Sequence, residues 1–132
     1  MRRAAALPLV ALLVVSSLGG GTARAAERRC GWMVNPTPGN HWLTDRDGTW
    51  ILSAQGNEGA PGMEDMPDMT TRGWVRTNGN HGYGCACLDM DVDRKAMRVA
   101  RVYRAEPLPL SRCQADPALP RPQQGSLGPD PG

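Results

Sequence analysis

The stretch Cys85-Ala86-Cys87-Leu88-Asp89-Met90-Asp91-Val92-Asp93-Arg94-Lys95-Ala96-Met97-Arg98-Val99-Ala100-Arg101-Val102-Tyr103 decides the fold class. Leu88, Met90 and Val92 alternate strictly with Asp89, Asp91 and Asp93. This is the two-residue period of a strand with one face on a core and the other in water. Met97 to Tyr103 reads as a second strand, returning antiparallel after a turn at Arg94-Lys95. That register sets Met90 opposite Val99 and Asp91 opposite Arg98, pairing apolar with apolar and acid with base. The pattern breaks at Cys87 and Arg101, at about the same level, as a bulge or a strand passing between layers would make it.

Working outward, further short strands appear. Trp42-Leu43-Thr44 and Thr49-Trp50-Ile51-Leu52 flank Asp45-Arg46-Asp47-Gly48, the clearest hairpin signal in the chain. Cys30 to Val34 reads as a first strand, stopped by a rigid loop at Asn35-Pro36-Thr37-Pro38-Gly39-Asn40. Residues 56–73, rich in Gly, Pro, Met and acid, read as a long loop. Gly73 to Thr77 resumes extended structure, and Asn78 to Gly84 reads as a glycine-rich turn. From Pro107 to Pro120 the chain is punctuated by proline, and residues 121–132 have the composition of a disordered tail. The expectation is a mainly β fold: one small antiparallel sheet, barrel- or sandwich-like, with long loops.

Four cysteines, Cys30, Cys85, Cys87 and Cys113, sit in this region. An even count in a short domain reads as two disulfides in an oxidising compartment. A Cys85–Cys87 bond would close a tight ring across one residue, so Cys30 and Cys113 are each expected to bond one of the central pair. A zinc site and a redox pair both favour two residues between cysteines, and only Ala86 separates these. Crosslinks suit a chain of 132 residues with 16 Gly, 12 Pro and no Phe, which has little with which to build a core.

Residues 1–25 read as a secretory signal peptide. Arg2 and Arg3 precede an apolar run from Ala4 to Leu18, and Ala23-Arg24-Ala25 fits the small-x-small cleavage rule. About 15 apolar residues fall short of the ~20 that span a bilayer. The domain is then 26–120, periplasmic or secreted, with no membrane span after signal removal. The formal charge of +2 becomes −1 once Arg2, Arg3 and Arg24 are removed. That balance excludes a nucleic-acid binder working by bulk charge.

Several of these motifs together resemble a known bacterial family. They are Cys30-Gly31-Trp32, Asn35-Pro36-Thr37-Pro38, Trp42-Leu43-x-Asp45-x-x-Gly48-x-Trp50, Thr77-Asn78-Gly79-Asn80 and Gly82-Tyr83-Gly84-Cys85-Ala86-Cys87-Leu88. The family is the domain of unknown function 4087, made of small exported proteins. The resemblance runs from about Cys30 to Pro120 and implies export without implying an activity.

Four constellations bear on function. Trp32, Trp42, Trp50 and Trp74 sit beside Asn35, Asn40, Asn78 and Asn80, and flat aromatic faces with amides suit a sugar or peptide. Core packing and turn chemistry account for most of these residues. The binding surface is expected around Asn40, Trp42, Asn78, Asn80, His81 and Tyr83. Met63-x-x-Met66-x-x-Met69 offers soft thioethers suited to Cu(I), with His41 or His81 to add an imidazole. Copper handling requires these methionines to converge; otherwise they pack as flexible core filler. Asp89-x-Asp91-x-Asp93 begins like a calcium loop, but Arg94 and Ala100 stand where Gly and Glu are needed. A hydrolase would have to use His41 or His81, and Ser53 and Ser111 lie in no nucleophile turn. The leading expectation is a monomeric binding module for an envelope protein or glycan, without cofactor. Copper handling is the alternative, and a small hydrolase the third reading.

Overall fold

The structure, a computed structural model, describes residues 26–122. The expected signal peptide, residues 1–25, and residues 123–132 of the expected disordered tail lie outside the described residues. Six strands form: β1 (Glu27–Asn35), β2 (His41–Asp45), β3 (Gly48–Ser53), β4 (Val75–Asn78), β5 (His81–Asp93) and β6 (Arg98–Leu108). A 3-10 turn (Met63–Asp65) lies between β3 and β4, and a short helix α1 (Leu110–Gln114) follows β6.

The strands run β1-β2-β3-β6-β5, and β5 pairs back onto β1, which closes a ring. The ring is antiparallel except where β3 meets β6 at Ile51 and Arg98. With β4 as an added edge strand on β5, this is the connectivity of a five-stranded Greek-key barrel of the OB type. Closure pairs both edges of the five-stranded ring and leaves the four-residue β4 as an edge. The Asp-Gly hairpin forms as expected, Asp45 facing Gly48, with Arg46-Asp47 as the turn and Gly48 at φ +129°.

The β5–β6 hairpin forms in a different register. Met90 faces Val102 and Asp91 faces Arg101, while Val92 faces Val99 and Asp93 faces Arg98. The connection takes four residues rather than two, because Asp93 Oδ1 accepts the Ala96 amide at 3.1 Å and Met97 turns left-handed at φ +51°. Two register shifts then leave Ala100 and Tyr103 unpaired, one extra residue each on β6. Each bulge turns a two-residue step into a three-residue step, so Val99, Val102 and Ala105 all reach the core. The break in alternation at Arg101 is this bulging.

Segment 81–84 is likewise strand rather than turn; the turn shrinks to Gly79-Asn80, with Asn78 facing His81. Glycine serves close approach here, since a Cβ on Gly82 would lie 1.8 Å from the Val75 carbonyl oxygen.

β5 is buried on both faces in its first half. Ala86, Leu88 and Met90 enter the barrel interior with Leu43, Trp50 and Leu52. Cys85 and Cys87 enter a second cluster with Trp32, Val34, Leu108 and Cys113, lying under the C-terminal segment. The disulfides are Cys30–Cys87 and Cys85–Cys113, so both ends of the domain are tied to β5. Cys30 and Cys87 are register partners on β1 and β5. The second bond pins α1, and Trp32 Nε1 donates to the Pro120 carbonyl at 2.9 Å to hold the rest of the cover.

At one end of the barrel Arg29, only 9% exposed, lies 4.2 Å over the Trp50 ring. Its guanidinium reaches Asp45 and Asp47 at 2.8 Å and Glu27 at 2.9 Å. Burial opposes charge on Arg29, but the hydrogen bonds it donates to Asp47, Asp45 and Glu27 outweigh burial and raise its pKa further.

Candidate functional site

The other end of the barrel gathers most of the expected polar residues. Loop 36–40, loop 54–74 and the β4–β5 turn meet there. Asn35 organises the first loop, donating through Nδ2 to the carbonyls of Thr37 at 2.9 Å and Asn40 at 2.7 Å. Its Oδ1 therefore accepts from His81 Nδ1 at 2.9 Å, which ties β1 to β5. Asn40 donates to the Thr37 hydroxyl and accepts the Gln55 amide at 2.9 Å. Asn78 reaches the Pro36 carbonyl at 3.3 Å. These amides stabilise the loops, as short polar side chains in turns commonly do.

His41 is half-buried and bonded through Nδ1 to Ser53 Oγ at 3.0 Å. Ser53 has a single proton and gives it to the Gly39 carbonyl at 3.0 Å. His41 Nδ1 must then be the donor, and Nε2 carries the unshared pair. Burial, with a smaller push from nearby His81, holds the His41 imidazole below its usual pKa and so keeps it neutral. Ser53 is 6% exposed with its proton committed, an arrangement unlike that of an activated nucleophile.

Beside His41 lies a cavity of about 260 Å³. Met33, Met63, Met66, Met69 and Trp74 line it together with His41, and Asn80 stands at its edge. The methionine spacing acquires meaning from a 3-10 turn at Met63–Asp65. Side chains three apart eclipse in such a turn, so Met63 and Met66 share one side. The loop is held by two backbone bonds, Ala60 to Leu52 and Val102 to Pro61, both 2.8 Å. Trp74 lies against Gly84, where a Cβ would come within 2.9 Å of the ring, and its Nε1 donates to the Asn80 carbonyl at 3.1 Å.

Of the expected binding residues, Asn40, Asn78, Asn80 and His81 gather at this end. Trp42 and Tyr83 instead pack against the second cluster with Leu110 and Leu119. Tyr83 meets Trp32 edge-on, with centroids 5.5 Å apart. Trp32 and Trp50 are 1% exposed and belong to the core, leaving Trp74 as the aromatic at the cavity. Met33, Asn35, Trp74 and Asn80 also line the cavity and are not grouped with the methionine loop by their sequence. Met33 faces the cavity because it is on the inward side of β1, a placement that follows from barrel closure. A larger depression of about 670 Å³ lies under the C-terminal cover, where the described chain ends.

The geometry defines a class: a small β-barrel domain, tied by two disulfides, with a cavity built at its loop end. The family described as protein of unknown function (DUF4087) matches residues 24–120, and the chain belongs to it. No curated protein and no solved structure matches the chain. Two disulfides indicate an oxidising environment. Among the described residues, no helix is long and apolar enough to cross a membrane.

Proposed function

We propose that the domain is an exported binding module, periplasmic or secreted, that takes its ligand at the loop end. The observation that carries this is the cavity where the 54–74 loop, the β4–β5 turn and the start of β2 bring Trp74, Asn80 and His41 together against apolar side chains. A concave site with an aromatic face and a few polar groups is what small-ligand and peptide recognition uses. The disulfides and the signal-like N-terminus support export, and an envelope protein or glycan is the ligand class. Barrels of this connectivity often bind through the loop joining their first two strands, here 36–40, which adds support by analogy.

The test is capture of envelope proteins and glycan fragments by the immobilised, oxidised domain. Trp74→Ala and Asn80→Ala should each reduce capture at least tenfold, with the urea midpoint of the exposed Asn80 variant unchanged. Capture that is absent from the wild type, or that stays at the wild-type level in both variants, refutes the reading.

A further inference from the structure

We propose that the cavity lined by Met33, Met63, Met66, Met69 and His41 is a binding site for Cu(I), with Trp74 at its wall. This goes beyond the reading above, adding a soft metal ion as a second ligand at the same end of the barrel.

The donor set carries the inference. Thioether sulfur and neutral imidazole are the protein ligands that favour a soft monovalent cation. Four methionines from two distant segments, β1 and the 54–74 loop, line one cavity of about 260 Å³. Met33 is 2% exposed within the core, and Met63, Met66 and Met69 pack against the same cluster from the loop while staying half-buried, so their thioethers keep access to the cavity. No side chain lining the cavity is a carboxylate or a base of full charge. A site lined by uncharged groups takes a single positive charge at less desolvation cost than a double one. Among the described residues, no group of three His, Cys, Asp or Glu comes together to hold a metal. Thioethers and one imidazole are the metal-binding side chains that line this cavity.

Three further features fit. All four cysteines are committed to disulfides, so a soft cation in this domain must be met by thioethers. His41 is held by the arrangement common to metal-binding histidines: one ring nitrogen donates to a fixed acceptor, here Ser53 Oγ, and the other keeps its lone pair. Trp74 adds a π-face beside the cavity, which attracts a bound cation.

The experiment is anaerobic competition between the oxidised full-length mature protein and a chromogenic Cu(I) chelator, with ascorbate as the copper reductant. The protein should withdraw one equivalent of Cu(I), quench tryptophan emission, and shift the methyl resonances of Met33, Met63, Met66 and Met69. Met63→Leu/Met66→Leu keeps the packing volume and should weaken binding at least 100-fold. His41→Gln should weaken it at least tenfold. Urea midpoints confirm that each variant is folded. Failure of the folded wild type to withdraw Cu(I), or wild-type affinity in the folded double variant, overturns the proposal. Zn(II) binding that shifts the same methyl groups with equal affinity overturns it as well. Envelope capture is scored separately on metal-free protein. Capture without Cu(I) uptake removes only the metal assignment, and loss of both removes the loop-end reading too.

Discussion

Replacing Arg29 with methionine tests whether the ion-pair network at the far end of the barrel holds the fold together. Arg29→Met keeps an unbranched stem and removes the guanidinium. Asp45, 5% exposed, then loses the partner on Oδ2 that sits at 2.8 Å. Its Oδ1 still accepts from Trp50 Nε1 at 3.0 Å and from the Asp47 amide at 2.8 Å. A buried carboxylate is left with two neutral donors and no countercharge, and breaking such a pair costs about 3–5 kcal/mol. The Asp47 and Glu27 arms, 50% and 28% exposed, add little because solvent screens them. Loss of the contact over Trp50 adds roughly 0.5–1 kcal/mol. The expected total is about 4 kcal/mol, which at a urea slope of about 1.5 kcal/mol/M moves the midpoint by roughly 2.5 M. The assay is equilibrium urea unfolding of the oxidised protein, read by tryptophan emission at constant slope. Adding Asp45→Asn to the variant removes the stranded charge and should recover at least about 1 kcal/mol. A loss below about 1 kcal/mol for Arg29→Met, or no recovery in the double variant, refutes the reasoning.

Removing the Cys85–Cys113 bond with paired alanines opens a loop of sequence separation 28 and should cost about 3.5 kcal/mol by loop entropy. Trp32 emission should move to the red as the cover over it loosens, and unchanged emission and midpoint would contradict that role. Acid should destabilise the domain through Asp47, whose carboxyl is held below its usual pKa by the Arg29 hydrogen bond. Glu27 acts likewise: burial opposes the shift, and Arg29 and Arg94 outweigh it. Groups with depressed folded pKa values contribute above the unfolded value and lose that contribution as pH falls. Urea midpoints should therefore hold from neutrality to about pH 5 and fall below about pH 4, less steeply in Arg29→Met. An equally steep acid limb in that variant would show that other carboxylates control it. Gly82→Ala drives a Cβ to 1.8 Å from the Val75 carbonyl oxygen, so β4 must detach. Hydrogen exchange at Val75, Arg76 and Asn78 should quicken, and protection equal to wild type would show that the strand can shift to make room.

Legibility followed the physics of each segment. The β2–β3 hairpin was readable because Asp-Gly chemistry and flanking tryptophans act locally. β5 was readable from Leu88 onward because only one of its faces is buried there. Its first half was harder, since Cys85, Ala86, Cys87 and Leu88 are buried on alternating sides and leave no polar face to alternate with. β6 misled because a two-residue period was applied to a strand whose bulges at Ala100 and Tyr103 give it a three-residue period. Gly82 and Gly84 read as turn residues from composition alone. Their need for glycine arises from the Val75 backbone and the Trp74 ring, contacts made by other segments.

The same distinction explains why the loop end was only half visible. Asn40, Asn78, Asn80 and His81 announce themselves as turn residues wherever the loops go. Trp42 was drawn to them by sequence proximity to Asn40, but a strand sends neighbours to opposite faces. His41 and Trp42 therefore part company, His41 to the methionine cavity and Trp42 to the second cluster. Met33 joins the cavity from a strand 30 residues before Met63, and only closure of β1 against β5 makes them neighbours. The division of sulfur in this chain then has a chemical logic. Oxidation spends every thiol on holding β5 to the two ends of the domain. The thioethers, which form no crosslinks, are the sulfur left to line the cavity at the loop end.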